Sequence, residues 1–479
     1  MPETDRRDFL SRLTVLAAGV TTLAACGGGG GGNEGRSTVA AAPSSPPEPT
    51  PAPAPTPTPA PTPAPAPTPT PTPTPTPVPP PPATPSPAPP PEPEPAPEPP
   101  SAPVPDPGRV PGLSYEIPRP GQAIAIGLNT ALDVYPAGEG WTPAAWDYSV
   151  FGSYGAGMLV PLYSTYGAYV FAGTGGHNHP DNHGACVFDF TTASWERLDN
   201  ANGVLRNSTP PYSYKEGSDS NGAPWFEITG SVVPLPPHGY GNAVFLPVGS
   251  RGSLVLVTRA ALGVGASNSG ASHRFDLATR TWSRFTPEIV ARTGVESDSL
   301  YDSRRNRVWM VSATQQNHRD VAYLDLSDLT WKVSGAGPWG PGALAGFKRA
   351  MIHGTFIIKN CGSQGLWLYD PNAASAGWIR VNVSGALPKA ANRWARFSNG
   401  NWYAFDGDAA GNVLTRIVPP ADAKNGVWVV DTTSLSGATL PARNQGTEHY
   451  SRLFYVPALG CLAWIANAAD SVIIMRPER

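Results

Sequence analysis

The stretch Phe275-Asp276-Leu277-Ala278-Thr279-Arg280-Thr281-Trp282 decides the fold, because the chain writes it more than once. Phe188-Asp189-Phe190-Thr191-Thr192-Ala193-Ser194-Trp195 and Leu324-Asp325-Leu326-Ser327-Asp328-Leu329-Thr330-Trp331 repeat it without a gap. Tyr369-Asp370 followed by Trp378 repeats it with a longer turn, and Val429-Val430-Asp431-Thr432-Thr433 is a weaker copy without the Trp. The unit reads as a hairpin. An apolar strand ends at Asp, whose carboxylate caps a tight turn; Thr or Ser follows; Trp opens the next strand with a large side chain to bury between sheets.

Upstream of each copy lie two further β-rich runs, such as Gly167–Gly173 and Asn306–Val311, so each repeat is a four-stranded antiparallel unit. Trp282, Trp331 and Trp378 stand 49 and 47 residues apart, which is the length of one propeller blade. The expected fold is therefore all-β, a β-propeller of about six blades over residues 112–479. Five blades end at or near Trp195, Trp282, Trp331, Trp378 and Asp431. The last has three strands only, in Tyr450–Val456, Gly460–Ala466 and Ser471–Arg476. Its fourth must come from the N-terminal part, where Gln122–Gly127 and Thr130–Tyr135 are strand-like, so that strands from both termini close the ring and protect the sheet edges.

The repeat resembles the kelch family of β-propellers. Gly173-Thr174-Gly175-Gly176 after a second strand, the Asp-to-Trp turn, and Pro234-Leu235-Pro236-Pro237-His238-Gly239-Tyr240 leading into the next blade carry the resemblance, which covers nearly all of residues 113–479. The double glycine is clear only in the first copy, so the chain is expected to be a divergent relative. The competing architecture, a β-sandwich, lacks a fixed period.

The region before the repeats is of another kind. Of 60 prolines, 36 fall in the 69 residues from Pro43 to Pro111, a stretch with no Trp, Tyr or Phe; all 14 tryptophans lie after Gly112. Such a segment cannot bury enough apolar surface to offset its ordering entropy. Extended as polyproline II it would span roughly 200 Å, a spacer. At the N-terminus, Asp5-Arg6-Arg7-Asp8-Phe9-Leu10, the apolar run Leu13–Ala25 and Leu23-Ala24-Ala25-Cys26 resemble a twin-arginine export signal joined to a lipoprotein signal box. The resemblance implies a signal peptide over residues 1–25, a lipid on Cys26, a Gly-rich and Pro-rich linker over 26–111, and an extracytoplasmic place in a bacterial cell envelope. Gly27, where Asp is the usual inner-membrane retention signal in Gram-negative bacteria, resembles outer-membrane sorting. A net charge of −3 with 14 % charged residues leaves no basic footprint and argues against nucleic acid. A monomer is expected.

Polar residues near the starts of the innermost strands should converge at one mouth of the central channel. They are Tyr154, His238 with Tyr240, Glu296 with Asp298, Lys348 with Arg349, Asn392 with Arg393, and Glu448 with His449. This set suits ligand contact, or else a solvated rim of mutually paired charges. Three of the eight histidines, His177, His179 and His183, stand in one loop with Asp181, at a spacing that could hold a metal ion. An insertion at about 200–230 carries Tyr212, Tyr214, Trp225 and Phe226, rings on which sugars stack.

Galactose oxidase also carries a kelch propeller, and its copper site needs a Cys cross-linked to Tyr, a second Tyr and two His, with Tyr-His adjacent. This chain has His449-Tyr450 in the reverse order. With Cys26 acylated, Cys186, Cys361 and Cys461 allow at most one disulfide. The expected function is binding without catalysis, of a glycan or another envelope protein. A metal-dependent oxidase, a carbohydrate-active enzyme and an assembly protein are the alternatives.

Overall fold

The chain divides into two compact units, Met1–Pro87 and Ala88–Arg479. A computed structural model describes residues 106–135, 142–147, 157–172, 185–198, 214–218, 224–228, 232, 243–256, 272–285, 298–311, 320–336, 350–361, 365–373, 377–388, 394–443 and 452–478. All belong to the second unit. The export signal, Cys26 and nearly all of the linker lie outside them.

Six sheets with four antiparallel strands to a blade follow one another along the chain, each strand of the first five blades hydrogen-bonded to the next in sequence. The first strands are Gly157–Val160, Ala243–Leu246, Asp298–Asp302, Ala350–His353, Trp394–Arg396 and Leu453–Val456, numbered here as blades 1 to 6. First strands of successive blades approach one another around the axis, which makes them the innermost. The molecule is a six-bladed β-propeller.

Six apolar cores hold the ring, each between two neighbouring blades. Val170 and Val187 of blade 1 meet Phe275 and Trp282 of blade 2; Val244 of blade 2 meets Met310 of blade 3; Trp309 of blade 3 meets Tyr369 of blade 4. Leu368 of blade 4 meets Trp402 and Trp428 of blade 5, and Tyr403 of blade 5 meets Trp464 of blade 6. Phe454 of blade 6 stacks on Tyr169 of blade 1, ring centroids 4.1 Å apart, and closes the circle. Side chains alternate across a strand, so Ala168 and Val170 serve one seam while Tyr169 and Phe171 serve the other. Both faces of every blade are thus covered, which is why the strands are apolar on both sides.

The repeated hairpin has the chemistry its residues call for. Oδ1 of Asp189 accepts the Thr191 N–H at 2.8 Å, that of Asp276 the Thr279 N–H at 2.8 Å, that of Asp325 the Ser327 N–H at 3.1 Å, and that of Asp370 the Asn372 N–H at 3.0 Å. Ala193, Arg280 and Leu329, the last turn residue in each four-residue loop, are left-handed with φ of 53°, 58° and 57°. The ring before Asp faces the Trp across the strand pair, as in Phe188 with Trp195 and Phe275 with Trp282, centroids 5.2 and 5.1 Å apart. Trp195 and Trp282 are buried; Trp331 and Trp378 only partly so. The same turn recurs inside blade 3 between its first two strands, Asp302 capping Arg304 and Asn306 left-handed at φ 51°.

Ring closure follows the sequence reading. Gln122–Ile126 is the fourth strand of blade 6, antiparallel to Val472–Arg476. Two details differ. The strand expected over Thr130–Tyr135 is a single 3-10 turn, Ala131–Val134, because Thr130 and Asp133 form a capping box. Asp431 caps no turn: it lies inside the eight-residue strand Val427–Ser434 and pairs with Arg416 on the neighbouring strand, Oδ2 to Nη2 2.6 Å. The insertion holds a hairpin of its own, Tyr214–Ser218 with Pro224–Ile228.

Blades 5 and 6 each carry a fifth strand that pairs in parallel with the outermost one, Asn382–Ser384 beside Val427–Val429 and Ser436–Gly437 beside Gln122–Ala123. The chain leaving one blade thus runs along the rim of the next before turning inward. Glycine makes this approach possible in both places. A Cβ on Gly385 (φ 99°) would stand 2.1 Å from the Val430 carbonyl oxygen, and one on Gly437 (φ 89°) 2.4 Å from that of Ala123.

Candidate functional site

The inner strands surround an axial cavity of about 400 Å³. Every blade contributes to its wall: Met158 and Leu159, Val244 and Phe245, Ser299 to Tyr301, Met351 and Ile352, Ala395 and Arg396, Phe454 and Tyr455. Successive inner-strand side chains alternate between the two seams that flank a blade, as Met158 and Leu159 do, so residues of neighbouring seams share the wall. The wall is mostly apolar, with the polar groups of Ser299, Tyr301, Arg396 and Tyr455 set into it.

Arg396 ends the inner strand of blade 5 and is half-buried, and its Nε, shielded from solvent, has no hydrogen-bond partner among the described residues. Its charge is felt by His353, at the end of the inner strand of blade 4. Burial, and after it the Arg396 guanidinium, bring the His353 imidazole down to about 4. His353 is therefore neutral at pH 7, and its Nδ1 accepts the Trp402 indole N–H at 3.3 Å, which places the ring proton on Nε2. On blade 3, Ser299 is 8 % exposed, and its Oγ has no partner among the described residues either.

Of the residues singled out from sequence, Asp298 is described in full. It begins the inner strand of blade 3, as expected, and is buried at 3 % exposure. Its Oδ2 accepts the backbone N–H of Ala350 in blade 4 at 2.7 Å and lies 3.8 Å from Nζ of Lys359, which is wholly buried. Trp225 falls in the strand Pro224–Ile228, opposite Gly217, and its side chain is outside the description. Tyr154, His238, Tyr240, Arg349, Arg393, His449 and Tyr212 lie outside the described residues, as do His177, His179 and His183. No group of three His, Cys, Asp or Glu side chains placed to hold a metal ion occurs among the described residues.

Cys186, Cys361 and Cys461 are buried and form no disulfide with one another. Burial pushes the Cys186 thiol far up and the Cys461 thiol up to about 12, so neither is a nucleophile at neutral pH. The connection between the second and third strands of blade 6, from Trp464 to Val472, carries a small polar cluster. There Asp147 Oδ1 accepts the Ala468 N–H at 2.7 Å, and burial with the nearby Asp147 charge raises Asp470, while its bond from Asn467 acts the other way.

Arg396 and Ser299 were not evident from sequence. The signal that could have found Arg396 is a lone charge in Trp394-Ala395-Arg396, an inner strand otherwise small or apolar.

No protein-family model matches the chain, and no curated protein matches it. Among solved structures, the chain is similar to the major allergen Mala s 1 of Malassezia sympodialis, with 13 % identity, 68 % of this chain and 94 % of that one covered, and a TM-score of 0.38. It is similar also to a protein of unknown function from Bacteroides thetaiotaomicron, with 10 % identity, 64 % and 84 % covered, and a TM-score of 0.32. A third is BamB from Moraxella catarrhalis, with 10 % identity, 64 % and 78 % covered, and a TM-score of 0.30. The propeller assignment rests on the sheet order and the six seams.

Proposed function

We propose that this chain is a lipid-anchored, extracytoplasmic binding protein, a divergent kelch-type propeller held off a bacterial membrane by its Pro-rich linker. The observation that carries the reading is the closed ring itself. All six seams are filled, and the last blade is completed by a strand from the other end of the domain. Such a ring is a stiff support for loops, and propellers present ligands to the loops and channel mouth on one face. In this reading Tyr154, His238, Tyr240, Arg349, Arg393 and His449 rim the mouth, Asp298, buried and held by Ala350 and Lys359, supports the rim from beneath, and the insertion with Tyr212 and Trp225 sets specificity for a glycan.

Two measurements test it. Mass spectrometry of the exported protein should find acyl chains on Cys26, and Cys26→Ala should release the protein from the membrane fraction. A glycan array with the full chain should show saturable binding that Trp225→Ala reduces at least tenfold. Binding to an envelope protein with a blank array would move the ligand class, and loss of neither signal on substitution would sink the reading.

A further inference from the structure

We propose that the axial cavity is a binding site in its own right, for a small molecule that carries a carboxylate on an apolar body, with Arg396 as its anchor. The site is separate from the loops at the mouth, and stands or falls independently of them.

The cavity's size is the first observation. About 400 Å³ is at the small end of small-molecule sites, room for a ligand of roughly ten to twenty non-hydrogen atoms. Its walls are the second. Met158, Val244, Phe245, Met351 and Phe454 come from four of the six blades, and they suit a hydrocarbon or aryl body.

The third observation fixes the head group. Two donors in this wall have no protein partner among the described residues, the Arg396 Nε–H and the Ser299 hydroxyl; both atoms sit shielded just behind the cavity surface, on residues that line it, and Ser299 is more than nine-tenths buried. A buried donor left without a partner is unfavourable, so a ligand group that a small side-chain rotation brings within reach of both recovers what the fold leaves unmade. A guanidinium presents its N–H groups as a planar fork matched to a carboxylate.

Charge points the same way. No Asp or Glu is among the described residues lining the cavity, and the nearest carboxylate in sequence to Ser299, that of Asp298, is already engaged by Ala350 and Lys359. His353, beside Arg396, is neutral and adds no second cation to be satisfied. Among the described residues the cavity therefore holds one fixed positive charge, that of Arg396, in an apolar wall. A neutral apolar ligand would leave that charge facing hydrocarbon, and a cation would be repelled.

The test is isothermal titration calorimetry of the full chain with octanoate and 3-phenylpropanoate, each beside its primary amide. At least one acid should bind saturably at one site per chain, its amide at least tenfold more weakly. Arg396→Met should cost the acid at least tenfold and leave the amide unchanged; Arg396→Lys, which keeps the charge and loses the fork, should fall between. Ser299→Ala should weaken the acid about threefold. A circular dichroism melt of each variant separates lost binding from lost fold, and Arg396→Lys carries the test if the Met variant does not fold. No heat from either acid, equal binding of acid and amide, or acid binding indifferent to both Arg396 variants would overturn the proposal. None of these results bears on Trp225 and the glycan array.

Discussion

Asp298 and Lys359 form a buried ion pair across two blades, Oδ2 to Nζ 3.8 Å, and the same Oδ2 holds the Ala350 N–H of the second blade. The inner strand of blade 3 is thereby fixed to the first two strands of blade 4 by charge and hydrogen bond as well as by the Trp309 and Tyr369 seam. Removing one member strands the other in a place without water. Asp298→Ala and Lys359→Met should each cost about 3–5 kcal/mol in chemical denaturation, and the double variant distinctly less than their sum. Additive losses would mean that the two do not act as a pair.

His353 makes stability depend on pH. Its folded value of about 4 lies below the ordinary 6.5, so the unfolded chain takes up the proton first as pH falls. Above pH 6.5 the group contributes nothing; between 6.5 and 4 stability declines, by on the order of 3 kcal/mol in full. His353→Gln should flatten that part of the denaturation profile. A variant that tracks the wild type over this range would show that His353 does not titrate as described.

The turn at Leu329 can be improved. Its φ of 57° is a left-handed conformation, and its side chain is 43 % exposed, so little packing is at stake. A non-glycine residue there costs about 1–2 kcal/mol, partly offset by the entropy that glycine would lose. Leu329→Gly should raise stability by about 0.5–1 kcal/mol. Trp282→Ala, at the seam of blades 1 and 2, should lower it by about 3–5 kcal/mol.

The three described thiols should be silent. Cys186, Cys361 and Cys461 are all buried and unpaired with one another. With Cys26 replaced by Ala, a water-soluble thiol reagent should label none of them in the native protein and all three in denaturant. Labelling at native pH would place one of them at a surface.

The hairpins were legible because a four-residue turn makes demands on its own residues: Asp189, Asp276 and Asp325 must cap, and the Trp opposite must find a seam. Blade count followed from the spacing of those turns. Val429-Asp431-Thr433 resembled them in composition, yet its Asp is held by Arg416, a partner 15 residues away that no local pattern reveals. Thr130 was misread because a β-branched residue is as good a cap as a strand former. The cavity was hidden for a different reason. Its wall is assembled from six inner strands of three to five residues, so Ser299 and Arg396 share no spacing. A quieter repeat was also present, Val333-Ser334-Gly335-Ala336, Val383-Ser384-Gly385-Ala386 and Leu435-Ser436-Gly437-Ala438; its glycines mark the departures from blades 3, 4 and 5.

The strand Gln122–Ile126 is made early, and both strands it pairs with, Val472–Arg476 and Ser436–Gly437, are made more than 300 residues later. Pairings so distant in sequence are slow to form. Until they do, the early strand has no sheet to join and blade 6 has an open edge. Closure is then the late and rate-setting event of folding. Anything that trims or delays the C-terminal strand should leave five blades assembled around a gap, with the Phe454 and Tyr169 rings exposed as a sticky seam.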